Sequence, residues 1–88
     1  MIYLVTNQNR LFNSSIYSII SVQESLNIIS KWTFIQFDTE TKGRDCHIGK
    51  LLLAQFGCFD FQVVVDCRTI DITLYKELLE DQNKLFLF

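Results

Sequence analysis

The sequence predicts an α+β domain built on a mixed β-sheet, and three features of it carry that reading. Several short segments are rich in β-branched and aromatic residues, as strands are. Two others show apolar residues at helical spacing behind a polar capping residue. The order of the second half is hairpin, helix, strand, and a helix between an antiparallel pair and a final strand implies a strand that returns parallel into the same sheet.

Taken in order, Ile2 to Thr6 reads as a short strand and Asn7-Gln8-Asn9 as a turn, because Asn tolerates the left-handed backbone that turns require. A second β-rich stretch ends at Ile20, with Ile16, Tyr17 and Ile19 as its β-forming residues. Ser21 followed by Glu24 has the form of a capping box, and Val22, Leu26 and Ile29 continue it at helical spacing, so a helix is expected to end near Ser30-Lys31. Thr33 to Thr41 is β again, and Lys42 to Asp45 is the loop after it. Lys50 to Gly57 and Gln62 to Cys67 form a hairpin around the loop Cys58-Phe59-Asp60-Phe61. Asp71 caps a second helix with Leu74, Leu78 and Leu79 on its inner face. Lys84 to Phe88 is a final strand, apolar on both faces as a covered central strand would be. No residues follow to cover it, so the sequence reads as cut before the domain is complete.

The chain has 88 residues, one small domain, and burial in a domain of this size is limited to about 60–65% of the unfolded surface. Eight Phe and 49% hydrophobic residues supply a core and exclude disorder. No apolar run reaches the roughly 18–20 residues of a membrane span, and the first residues lack the basic region and cleavage site of a signal peptide. A cytoplasmic protein, in a bacterium or a phage-infected host, is expected. The net charge of −2 gives no electrostatic footprint for wrapping a duplex, although metal ions can supply positive charge at a nucleic-acid site. Cys46, Cys58 and Cys67 are expected as free thiols. With His47 they lack the two-to-four-residue gap of a zinc knuckle, and the hairpin holds Cys58 and Cys67 at opposite ends.

Asp38 and Glu40 stand two apart at the end of a strand, so both point to one face, their backbones about 6.5–7 Å apart. Two hard oxygen ligands at that spacing can converge on Mg²⁺ or Mn²⁺. Taken alone, the pair reads first as solvated strand-end carboxylates, which such residues usually are, and only second as a metal site. Gln55 reads as a satisfied structural side chain, Asp66 as a turn-forming or capping carboxylate and His47 as an exposed loop residue. The Phe residues read as core, with Phe59 and Phe61 in the hairpin loop as the exceptions that could stack on a base.

Phe37-Asp38-Thr39-Glu40-Thr41-Lys42-Gly43-Arg44-Asp45, followed by Leu51-Leu52-Leu53-Ala54-Gln55-Phe56-Gly57, closely resembles the first motif of the DEDD-type 3′–5′ exonucleases. The form is similar to the proofreading domain of family A DNA polymerases, phage versions included. The resemblance spans residues 33–88, and residues 1–32 are a strand-and-helix lead-in. It implies a partial ribonuclease-H-like fold and two-metal hydrolysis of phosphodiester bonds at a 3′ end. Asp38 would bridge two Mg²⁺ or Mn²⁺ ions and Glu40 would ligate the one that holds the nucleophile. Thr39 and Thr41 would position the terminal nucleotide. Arg44 stands where many members carry a Leu, and would contact the backbone or stack on a base. The family's second motif, His-Asn and a helical Asp, follows the strand that Lys84 to Phe88 matches, and its third motif lies beyond. Neither is present.

The implied partner is a single-stranded 3′ end, DNA before RNA, together with a C-terminal half or polymerase domain. An RNase D-like ribonuclease is the alternative within the class. A non-catalytic remnant or split-protein half is the alternative outside it, with Leu85 to Phe88 as an apolar edge for pairing with another chain or with a second copy.

Overall fold

A computed structural model describes residues 1–8, 16–41 and 51–87, with Leu51 described by its backbone only. Six strands form one mixed sheet: β1 (Ile2–Val5), β2 (Tyr17–Ile19), β3 (Phe34–Thr41), β4 (Leu51–Cys58), β5 (Phe61–Asp66) and β6 (Leu85–Leu87). Their spatial order is β2-β1-β5-β4-β3-β6. β4 runs antiparallel to both β3 and β5, while β1 joins β5, β2 joins β1 and β6 joins β3 in parallel. The return of the last strand, expected from chain order, therefore lands beside β3.

Helix α1 (Val22–Ser30) begins with the capping box read from the sequence: Glu24 N donates to Ser21 Oγ at 3.0 Å, and Ser21 N donates to Glu24 Oε1 at 3.2 Å. At its other end the Lys84 ammonium donates to the carbonyls of Ser30 and Trp32 at 2.8 and 2.7 Å. Lys84 thus closes the helix and sets the start of β6 against it.

The segment after β5 departs from the expected single helix. Asp71 accepts from Thr73 N as a cap, but a 3₁₀ turn (Ile72–Tyr75) precedes one turn of α-helix, α2 (Lys76–Leu79). Three residues per turn set Ile72 and Tyr75 towards the core and leave Leu74 55% exposed, while Leu78 and Leu79 pack inward as the spacing gave.

The hairpin differs too. Cys58 pairs with Phe61, and the loop is the two residues Phe59-Asp60, not four. Phe59 takes the positive φ of 52° that primed two-residue turns demand, and its side chain is 99% exposed. Cys58 and Cys67 are free thiols at the two ends of the hairpin. Cys46, His47 and Arg44 lie outside the described residues.

The helical layer covers one face of the sheet. Val5, Ile35, Ala54, Phe56, Val63 and Val65 alternate onto that face and are buried with Ile29, Tyr75 and Leu78. Tyr75 bridges the layers. Its ring stacks on Phe56 with centroids 5.6 Å apart, and its hydroxyl lies 2.6 Å from Ser25 Oγ in α1. Ser25 spends its own proton on the Val22 carbonyl at 2.6 Å, so Tyr75 O–H is the donor.

The opposite face carries no helix among the described residues. There Leu4, Gln36, Asp38, Leu53, Gln55, Gln62 and Val64 are all at least partly exposed. β6 is an edge strand, with Leu85 and Leu87 61% and 48% exposed, in agreement with the reading of this segment as an apolar edge. Phe34, expected in the core, faces the same open side. Among the described residues no helix is long and apolar enough to cross a membrane.

Asp66 fastens the C-terminal ends of β1 and β5. It is only 2% exposed and accepts from Thr6 Oγ1 at 2.8 Å, Arg68 Nε at 3.0 Å, Arg68 N at 3.2 Å and Thr69 Oγ1 at 3.3 Å. Burial alone would raise its pKa, but the hydrogen bonds from Arg68 and Thr6 and the Arg68 charge outweigh it and hold the carboxyl below its ordinary value. The stability this gives is fully present above the unfolded-state pKa and is lost as pH falls through the lower folded value.

Denaturant titrations from pH 7 downward are therefore expected to show an acid loss of stability that is smaller in Asp66→Asn. At pH 7 that variant should be less stable by about 1.5–3 kcal/mol, the range for hydrogen bonds to a charged group. Tyr75→Phe should lose about 1–2 kcal/mol in the same measurement, with the fold retained, because it removes one buried hydrogen bond and leaves Ser25 without its donor.

Candidate functional site

Strand β3 delivers the acidic pair. Ile35 points into the core, and alternation then sends Gln36, Asp38 and Glu40 to the helix-free face. The ladder fixes what stands beside them: Asp38 is opposite Gln55 and Glu40 opposite Leu53. Both carboxylates are exposed and point the same way, as their spacing required. Asp38 Oδ1 accepts from Thr39 N at 2.8 Å, which orients that carboxyl group, and Oδ2 has no hydrogen-bond partner among the described residues.

The register slips directly after Glu40. Thr41 pairs with Leu51, and Leu52 is passed over. Such bulges re-aim a strand at its end, and here strict alternation stops at the second carboxylate. The other residues read as nucleic-acid contacts do not join the pair. Thr39 alternates onto the opposite face, Thr41 lies beyond the bulge, and Arg44 is outside the described residues.

A divalent cation is the group to test against these side chains. The donors are two exposed carboxylates on one face, hard oxygen ligands of the type Mg²⁺ and Mn²⁺ take. Neither is engaged in an ion pair among the described residues. Among those residues no group of three or more His, Cys, Asp or Glu comes together, so the pair is a partial ligand set. Asp66 is excluded from it, because hydrogen bonds already occupy both of its oxygens.

Sequence reasoning missed the neighbourhood of Asp38. Gln55, expected as a satisfied structural side chain, has no hydrogen-bond partner for its amide among the described residues, and the same holds for Gln36 and Gln62. These amides and Asp38 border a cavity of about 440 Å³ on the open face. The signal was present as three Gln in strands otherwise rich in apolar residues, but only the strand order brings them together.

No family model and no curated protein matches the chain. Solved structures do, five chains in all. One is Escherichia coli RNase D, described as an exoribonuclease involved in structured RNA processing, at 19% identity and a TM-score of 0.60. Another is the EXO domain of Aedes aegypti Nibbler, at 15% identity and a TM-score of 0.67. These likenesses show the fold: the mixed sheet and its helices are arranged as in those two chains. The match to Nibbler takes in 97% of this chain but 37% of that one, and the match to RNase D takes in 72% of this chain and 17% of that one. The chain thus spans well under half the length of either neighbour.

Mn²⁺ titrated into ¹⁵N-labelled protein should broaden the amide signals of residues 38–40 first, with a dissociation constant on the order of millimolar, as expected of a site with few protein ligands. Asp38→Ala and Glu40→Ala should each abolish that selectivity while the rest of the spectrum stays unchanged.

Proposed function

We propose that this chain is the front part of a metal-dependent 3′–5′ exonuclease domain, in which Asp38 and Glu40 are two of the metal-ligating carboxylates. The observation that carries the reading is the pair itself: exposed on the helix-free face, at the C-terminal end of β3, in a fold shared with exonuclease domains. The Asp-Thr-Glu-Thr run and the Gln55 strand support it from the sequence.

Bound divalent ions supply a water of lowered pKa and neutralise charge on the phosphate and leaving oxygen. The protein's own part is to hold carboxylates in place for them. Thr39 N fixes Asp38 Oδ1, while Glu40, one alternation further along, presents a second carboxylate to the same side. Thr41 and Arg44 are assigned to the terminal nucleotide. Thr39 contributes through its backbone, since its side chain faces away from Asp38. On this reading the remaining ligands lie outside the described residues.

A single-stranded DNA 3′ end is the proposed substrate, following the polymerase-like form of the motif. RNA is the second reading, favoured by the structural likeness to RNase D. The two substrates differ by a 2′-hydroxyl, which a protein reads through direct contacts.

Fluorescence anisotropy with 3′-labelled single strands, in DNA and RNA arms with Mn²⁺, tests the assignment. Binding that requires Mn²⁺ and is lost in Asp38→Ala is expected, tighter for DNA. Absence of any Asp38-dependent binding to either strand would refute the exonuclease reading. Release of mononucleotides should not exceed background, because the missing ligands remove several factors of ten in rate together, each about 1.4 kcal/mol of barrier. Robust release abolished by Asp38→Ala would instead mean that the remaining ligands come from a second copy of this chain or from residues read as structural.

A further inference from the structure

We propose that Phe59 and the apolar row beside it form the contact surface of a homodimer, in which a second copy of this chain packs against the same patch. The surface lies at the end of the sheet away from the acidic pair and stands independently of the exonuclease reading.

The patch arises where the helical layer stops. Met1, Tyr3 and Val5 share the helix-side face with Phe61, Val63 and Val65 of β5. Val5, Val63 and Val65 are buried beneath the helices. At the other end the same two rows finish in Met1 and Phe61, which are 61% and 45% exposed. Gln62 N donates to the Met1 carbonyl at 3.0 Å, so the ladder holds those two ends side by side. Ile16 precedes Tyr17, the partner of Ile2, and stands on the far flank of Met1 with 70% of its surface exposed. Phe59, at the hairpin tip, completes the row.

Phe59 is held there against its backbone preference. Its φ of 52° lies in the left-handed region, which disfavours a bulky side chain and which two-residue turns give to Gly or Asn. At 99% exposure the ring packs on nothing in its own chain to offset that strain. A rigid, strained aromatic facing water has the form of an interface anchor, with its position fixed before the partner arrives.

Area and charge point to a second copy as that partner. The four side chains expose about 500 Å² of apolar surface, a size that marks interaction sites on monomers. Two copies meeting through the patch remove about 1,000 Å² before any rim residue adds to it, which reaches the threshold of a specific contact. A two-fold contact is self-complementary, so apolar surface meets apolar surface and neither copy must supply a charge. Residues 1–5, 16–20 and 57–62 contain no Lys or Arg, and Asp60 is exposed among them, so an anionic lipid surface is disfavoured. The ladder also sets Glu40 beside Leu53 and Leu53 beside Asp66, at the opposite end of β5 from Phe61. A dimer formed at the patch therefore leaves the acidic pair of both copies uncovered.

The test is sedimentation equilibrium of the 88-residue protein from about 10 μM to about 1 mM, where a reversible dimer with a dissociation constant on the order of 100 μM is expected of a small interface. Phe59→Asn should act in opposite directions on fold and assembly. It relieves the strained φ and should raise the folded-to-unfolded ratio of the monomer about fivefold in a denaturant titration. It also deletes the anchor and should weaken dimerisation at least about tenfold. Ile16→Lys should weaken dimerisation with the fold retained, while Leu85→Lys, on the exposed edge of β6, should leave it unchanged. A protein that stays monomeric over the whole range overturns the proposal, as does a dimer indifferent to both Phe59→Asn and Ile16→Lys. A dimer lost in Leu85→Lys but kept in Phe59→Asn also overturns it and moves the contact to the β6 edge. Phe59-dependent binding of a monomeric chain to phosphatidylcholine vesicles would overturn it as well, and would assign the patch to a membrane surface.

Discussion

Tyr75 couples the two layers of the domain, and the rest of the arrangement depends on that coupling. Its ring lies on Phe56 at the centre of the sheet, while its hydroxyl donates to Ser25 in α1. A sheet this small, covered on one face, has little apolar area to spare. The phenol therefore does two jobs that a Leu could not: it fills the core and it satisfies a buried hydroxyl. Burial pushes its pKa above the ordinary phenol value, so it remains protonated and able to donate. The 3₁₀ turn serves this contact. Three residues per turn align Ile72 and Tyr75, where an α-helix from Asp71 would have turned Leu74 inward instead.

With the helices committed to one face, the strand alternation divides labour along β3. Ile35 holds the strand in the core, and Gln36, Asp38 and Glu40 stay accessible on the other side. Register then decides which chemistry meets which. A slip of one residue between β3 and β4 would bury both carboxylates under α1 and α2. Asp66 works against slippage from the far side of the sheet, because it ties Thr6 of the β1 end to Arg68 and Thr69 beyond β5.

Much of this was legible in the residues. The Ser21–Glu24 capping box, the β-rich run through Thr41 and the hairpin all follow from local periodicity and capping, which short-range physics controls. So does the shared direction of Asp38 and Glu40, which needs only the two-residue repeat of a strand. The departures have non-local causes. The hairpin loop shortens because pairing of Cys58 with Phe61 outweighs the strain of a positive φ at Phe59, a balance that ladder energies decide. Tyr75 was passed over because helical spacing selected Leu74 in its place. The amide-lined recess joins residues 36, 55 and 62 from three strands, and no single-segment pattern reports such a meeting.

The open face sets a constraint on whatever comes to cover it. Two like charges at the backbone separation of Asp38 and Glu40, about 6.5–7 Å, would repel by about 0.6 kcal/mol in water, but by about 2.5 kcal/mol at an effective dielectric of 20. While Asp38 and Glu40 are exposed, water screens that repulsion. A layer packed over the face would remove the screening and also desolvate each carboxylate. Among the described residues neither has an ion-pair partner to offset this. A divalent cation between them would turn the repulsion into attraction. Covering the face and binding metal are thus coupled: the cation lowers the penalty of closure, and closure supplies the further ligands that would make the cation bind tightly. The same coupling reaches Gln36, Gln55 and Gln62, whose amides must find partners in a cover or a ligand once water is expelled.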